Sequence, residues 1–238
     1  MYFSVAFSFY GIFLCFFRHN LNITFQPLKL ISEVFLIFTE NKRRYHFLDE
    51  HFMKIALQLA QSVKGQTSPN PPVGAVIVKD GAIRGLGAHL QAGQDHAEIE
   101  AIKMAGQDCK DATIYVTLEP CSHFGKTGPC ADTIIAHEFQ RVVIASLYPN
   151  KKFAGQGIEK LQKAGLDVTV VILEEQANEL YDVFFHYIKT KTPFITLKSA
   201  VTLDGKTATK TGESKWITGE AARKDVHHYR HTHDAILV

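Results

Sequence analysis

Residues 73–90 read VGAVIVKDGAIRGLGAHL. Two apolar runs flank Asp80–Gly81, a dipeptide suited to a tight hairpin turn, so the stretch reads as two antiparallel strands. Just upstream, SPNPP (68–72) is a loop, and FMKIALQLAQSVKG (52–65) repeats apolar residues at helical spacing before a glycine stop. Downstream, HAEIEAIKMAG (96–106) predicts a short helix closed by Gly106, and ATIYVTL (112–118) a buried strand. PCADTIIAHE (129–138) predicts a helix with Pro129 near its first turn. RVVIASL (141–147) is a strand, GIEKLQKAG (157–165) a helix and LDVTVVIL (166–173) a strand. EEQANELYDVFFHYIKT (174–190) is one long amphipathic helix. Strands alternating with short helices predict an α/β domain with helices on both faces of one sheet. The hairpin makes that sheet mixed rather than purely parallel.

The chain has 238 residues, enough for one large domain or two small ones. Lys plus Arg number 26 against 24 Asp plus Glu, so no broad basic footprint for nucleic acid exists. Four cysteines in this length do not make a disulfide framework and suit a reducing compartment. At the start, MYFSVAFSFYGIFLCFF (1–17) is almost purely apolar, and ISEVFLIF (31–38) is a second apolar patch. Neither reaches the ~20 residues of a spanning helix. The first lacks the charged start and small-residue cleavage site of a signal peptide. A membrane anchor, a targeting segment and translated upstream sequence are the three readings. The last is preferred, because residues 1–47 show no link to the periodicity that follows. The polar KTKTP (189–193) marks a linker. Beyond it come a strand–turn–loop pattern, a helix over roughly 219–231, and DAILV (234–238), which reads as a strand beginning. So short a segment cannot bury its own core, so it is expected to be the first part of a truncated second domain.

TLEPCSHFGKTGPC (117–130) places Cys121 and Cys130 in a loop rich in Gly, Pro, Ser and His. His96 supplies a third donor. Two thiolates and one imidazole with a fourth position open are the ligand set of catalytic zinc, whereas structural zinc usually closes its shell with four. Glu98 follows His96 by two residues, an offset that sets a carboxylate beside the metal site to shuttle a proton. Both predicted sites lie at helix N-termini, which favour thiolates. Gly125-Lys126-Thr127 is not a phosphate loop, because Pro120 stands where that motif needs glycine. Cys15 and Cys109 have no partners that suggest chemistry. His227 and His231, four residues apart, read as helix surface rather than a metal site.

HAE (96–98) with Pro120–Cys121 resembles the zinc-dependent nucleobase deaminases, except that eight residues rather than two separate the cysteines. The long form TLEPCSHFGKTGPC, with SPNPPVGAVIVKDG and GAHLQAGQDHAE, resembles the bifunctional deaminase–reductase family of riboflavin biosynthesis. The likeness runs from about Leu48 to Val238 and includes DGKTATKTGESKWITG (204–219). Pro72 departs from the residue the family often carries, a difference of packing more than chemistry.

The resemblance implies a cytidine-deaminase-like three-layer α/β/α domain over 48–190. It also implies the start of a dihydrofolate-reductase-like α/β domain over 191–238. It implies hydrolytic deamination of a phosphorylated diaminopyrimidinone riboside by zinc-activated water. Zinc would be held by His96, Cys121 and Cys130, with Glu98 moving the proton. Asn70 and His89 would hold the pyrimidine ring, and Lys126 would lie near the phosphate. In the reductase part, Ala200 and Trp216 would touch NADPH, while Lys198, Ser214 and Arg230 would meet substrate. Most of that cofactor site would lie past Val238, so the chain as given is expected to lack reductase activity. The expected partner is the small phosphorylated pyrimidine, not nucleic acid or a membrane. A cytoplasmic location and a homo-oligomer through the reductase domain complete the expectation. Leu48 would stand where the family usually starts, consistent with an alternative leucine-type start codon.

Two rivals stand beside this reading. A free-nucleotide or RNA-editing zinc deaminase predicts the two-residue cysteine gap and leaves the segment after Pro193 unexplained. A non-catalytic zinc-stabilised binding module predicts a closed metal shell and no task for Glu98.

Overall fold

The computed structural model describes residues 8–9, 12–13, 46–123, 128–149 and 154–237. Two units divide the chain, residues 1–44 and 45–238. In the first, β1 (Ser8–Phe9) and β2 (Ile12–Phe13) pair antiparallel. The rest of the apolar leader, Cys15 included, lies outside the described residues, while residues 46–47 already belong to the first helix of the second unit.

That unit opens with α1 (46–62). The hairpin follows as β3 (Gly74–Lys79) and β4 (Ala82–Ala88). Asp80 and Gly81 both take positive φ, 53° and 75°, the backbone twist that a two-residue hairpin turn requires. Next come α2 (Ala97–Ala105), β5 (Thr113–Leu118), α3 (Cys130–Ala136), β6 (Arg141–Ser146), α4 (Gln156–Lys163) and β7 (Asp167–Thr169). The five strands form one mixed sheet in the order β4-β3-β5-β6-β7. β3 is antiparallel to β4 and β5, whereas β5, β6 and β7 run parallel.

Strand alternation sends side chains to two cores. Ala75, Ile77, Ile114, Val116, Val142 and Ile144 pack with α2, α3 and α4 residues such as Ala101, Ile134 and Leu161. Val76, Val78, Tyr115, Val143 and Ala145 pack with Met53, Ala56 and Ala60 of α1 and with Ala177 and Leu180. Strands covered on both faces read as apolar runs, which is why β6 holds the uninterrupted Val142–Ala145, while the polar groups of β5 at Tyr115 and Thr117 are each hydrogen-bonded, to Asp49 and Tyr181. The close approach of α2 to β4 depends on Gly87, where a Cβ would meet the Ala97 carbonyl oxygen at 2.0 Å.

Three expectations need correction. The strand over 166–173 is only three residues long, because Val171 and Leu173 adopt positive φ, 62° and 59°, which no strand accommodates. The helix over 174–190 is two, α5 (Glu174–Leu180) and α6 (Asp182–Thr190), broken at Tyr181. Tyr181 is fully buried and its hydroxyl donates to Thr117 Oγ1 at 2.6 Å, so a tertiary contact overrides the helical periodicity. Residues 193–203 and 234–237 form no strand, since among the described residues no ladder partner pairs with them. Turns at 202–206 and 209–213 and helix α7 (Glu220–Thr232) fill this part instead. No described helix is long and apolar enough to cross a membrane.

Candidate active site

The parallel strands deliver the motif residues to one end of the sheet. Cys121 follows the C-terminal end of β5, Cys130 is the first residue of α3, and His96 is the N-cap of α2. Ligand sites in α/β sheets lie at these carboxyl ends. His96 Nδ1 is 3.2 Å from Cys130 Sγ and 3.7 Å from Cys121 Sγ. The Cys130 backbone N–H donates to Cys121 Sγ at 3.3 Å, and the Ala131 N–H donates to the Cys121 carbonyl at 3.1 Å. These two bonds seat the Cys121 turn on the start of α3.

The three ligand atoms all lie within 4.8 Å of one another. Bonds of about 2.0 Å to nitrogen and 2.3 Å to sulfur put tetrahedral zinc donors about 3.6 Å (N to S) and about 3.8 Å (S to S) apart. The donor set and its spacing therefore fit zinc, with one coordination position left over.

The electrostatics suit a cation. The thiols of Cys121 and Cys130 share a proton. A hydrogen bond from Cys130, aided by His96, draws Cys121 down to about 4, while the same bond and burial hold the proton on Cys130. The bond to Cys121 raises His96. Glu98, 3% exposed, is pushed up to about 7 by burial and by the Cys121 thiolate. A bound divalent ion would lower all these groups, by favouring the thiolates and the Glu98 carboxylate and by disfavouring the imidazolium of His96.

A cavity of about 380 Å³ opens onto this cluster, lined by His96, Glu98, Cys121, Asn70, His89, Tyr148 and Phe184 among others. Asn70 and His89 act as a pair. Asn70 Nδ2 donates to His89 Nε2 at 3.1 Å, so the His89 proton sits on Nδ1 and donates to the Asp95 carbonyl at 3.0 Å. Burial lowers His89, favouring this neutral form. Its ring stands edge-on to His96, with centroids 5.2 Å apart.

Lys126 lies outside the described residues. Lys198, Ser214, Trp216 and Arg230 are exposed or nearly so, and Ala200 is half-buried. The structure does not bring these five together: among the described residues no hydrogen bond or ring contact joins any two of them. Trp216 instead carries Arg223 over its ring at 4.4 Å, and Arg230 faces His227. Sequence reasoning passed over Glu119, Tyr148 and Phe184. Glu119 stands inside the LEPC motif as a carboxylate with no assigned task, which was the available signal; the two aromatics carry none.

Fold and donor set define a zinc-binding domain of the cytidine-deaminase kind. Residues 47–146 match the family model for the cytidine and deoxycytidylate deaminase zinc-binding region, and residues 193–238 match the RibD C-terminal domain. The riboflavin biosynthesis protein RibD of Bacillus amyloliquefaciens is 54% identical over 191 residues, 80% of this chain and 52% of that protein. The solved RibD of Acinetobacter baumannii aligns at 45% identity and a TM-score of 0.74, covering 79% of this chain and 52% of that one. A diaminohydroxyphosphoribosylaminopyrimidine deaminase/5-amino-6-(5-phosphoribosylamino)uracil reductase from Thermotoga maritima aligns at 46% identity and a TM-score of 0.74, covering 78% and 54%. The chain belongs to the RibD family. It spans about half the length of the curated relatives it matches.

Proposed function

We propose that the chain carries a hydrolytic deaminase. Its substrate is the phosphorylated diaminopyrimidinone riboside of riboflavin biosynthesis, from which it removes a ring amino group as ammonia. The observation that carries this reading is the His96–Cys121–Cys130 cluster with Glu98 buried beside it, opening onto one cavity.

His96, Cys121 and Cys130 hold zinc, which when bound supplies a Lewis acid and makes water acidic near neutral pH. Glu98 takes a proton from water and delivers it to the departing amine. Its burial screens that proton from bulk solvent. Asn70 and His89 hold the ring: with Nδ2 committed to His89, Asn70 Oδ1 accepts from a ring amino or imino group. Lys126 meets the phosphate, a role supported by its place in the loop between the two cysteines.

The deaminase occupies residues 48–190, and residues 191–238 begin a reductase domain that uses NADPH on the ribosyl side chain. Ala200 and Trp216 face the cofactor there, and Lys198, Ser214 and Arg230 face substrate. The match of residues 193–238 to the RibD C-terminal domain supports this part. The protein is cytoplasmic and pairs with further copies of itself through the reductase domain, without nucleic acid.

The test is ammonia release from the pyrimidine intermediate with and without a zinc chelator. Release that the chelator abolishes and added zinc restores supports the deaminase. Release from the chelated, metal-free protein at the full rate contradicts it.

A further inference from the structure

Glu119 is a carboxylate 7% exposed, two residues before Cys121, and it lines the cavity. Its own N–H donates to the Ser146 carbonyl at 3.0 Å, which ties it to the end of β6. Its side chain then gathers the backbone that follows β6. Oε2 accepts from the Tyr148 N–H at 3.3 Å and from the Gly155 N–H at 3.0 Å, and Oε1 accepts from the Gly157 N–H at 3.0 Å.

Two of those three bonds have a structural explanation. Gly155 is the N-cap of α4 and has no side-chain cap of its own. Glu119 supplies the missing acceptor from a distant part of the chain, as a capping carboxylate does. Gly157 fits because α4 comes so close that a Cβ there would meet the Pro120 carbonyl oxygen at 2.1 Å. The third bond has no place in capping. Tyr148 lies outside α4, and its half-buried ring lines the cavity, edge-to-face with Phe184 of α6 at a centroid distance of 5.9 Å. Two aromatic side chains here form a wall for a planar ring, opposite in chemistry to the polar Asn70–His89 pair.

We propose that Glu119 is a positioning residue for substrate: by holding the Tyr148 backbone it fixes the Tyr148–Phe184 wall of the cavity against which the substrate's heterocycle binds. The inference rests on the reading of this cavity as the deaminase site. Both carboxylate oxygens of Glu119 are engaged by backbone N–H groups, so its effect runs through the Tyr148 wall to binding rather than to the proton transfer at Glu98.

The test compares wild type with Glu119→Gln, Tyr148→Ala and the double variant, using zinc content, unfolding temperature, kcat and KM for ammonia release. Wild-type turnover establishes the deaminase independently; if wild type releases no ammonia, the functional reading itself has failed. With wild type active, Glu119→Gln is expected to keep its zinc and to change kcat less than about twofold while raising KM about tenfold, the loss of a charge-assisted bond appearing in ground-state binding. The double variant is expected to be no worse in KM than Tyr148→Ala, since both changes remove one wall. An unchanged KM in Glu119→Gln, a loss of zinc, or KM effects that multiply in the double variant would each overturn the proposal. Should Glu119→Gln fail to fold, Tyr148→Ala and Phe184→Ala decide it: unchanged KM in both removes the wall, and with it the proposal.

Discussion

His96 Nδ1 stands 3.2 Å from Cys130 Sγ, although 34 residues separate them in sequence. Two different helices provide these atoms at their first turns, and a loop after β5 brings the third, Cys121. Replacing Cys130 with Ser removes a soft anionic ligand and leaves a neutral hydroxyl. Zinc bound per chain is expected to fall from one to well below one at micromolar free zinc, by at least about tenfold in affinity. Metal analysis after dialysis checks this, and undiminished zinc would remove Cys130 from the ligand set.

The geometry of α2 depends on Gly87 as much as on the motif. A methyl group there collides with the Ala97 carbonyl oxygen, one residue after His96. Gly87→Ala is expected to cost about 1–3 kcal/mol of stability, the range of overpacked cores, and to weaken zinc binding together with it. Urea unfolding and a zinc titration on the same preparation measure both.

Far from the site, Asp49 of α1 takes a bidentate pair of bonds from Arg141 at 2.7 and 2.8 Å and a bond from the Tyr115 hydroxyl at 2.9 Å. Arg141 opens β6, at the sheet end away from Cys121. Asp49→Ala leaves the Arg141 guanidinium only Asp167 and Thr169 as partners and the buried Tyr115 phenol without its acceptor, and is expected to destabilise by about 2 kcal/mol. Turnover per folded molecule should stay at the wild-type value. Urea unfolding and an assay at low temperature separate the two effects.

His89 predicts a pH dependence. Burial lowers its pKa in the folded state below the ordinary value of about 6.5. The unfolded chain therefore binds a proton first as pH falls. The stabilisation from a neutral His89 is complete above about 6.5 and is lost as pH drops from there through the folded-state value. Wild type should lose more stability than His89→Gln between pH 7 and 5, measured by urea unfolding. Parallel curves would show that His89 is not held neutral.

Local chemistry made much of this structure legible. Asp80–Gly81 marked its hairpin because both residues tolerate positive φ, and apolar runs such as TIYVTL marked strands covered on both faces. The cluster of His96, Cys121 and Cys130 was legible because metal chemistry restricts residue types, and these three side chains do converge. Tyr181 was not, since helical periodicity runs unbroken through it and only its bond to Thr117 ends α5. Glu119 was not, because its partners are backbone N–H groups 29 to 38 residues away that any sequence would supply. The strands expected after Pro193 failed because strand propensity has no effect without a neighbouring ladder to join.

The account stands or falls on Glu98. Glu98→Gln keeps the size and burial of the side chain but removes its capacity to carry a proton. Ammonia release and bound zinc, measured on the same sample with the pyrimidine intermediate, give the most direct test. The expected result is full zinc occupancy with kcat lowered by about 10²–10⁴. Full zinc with unchanged turnover would contradict the account.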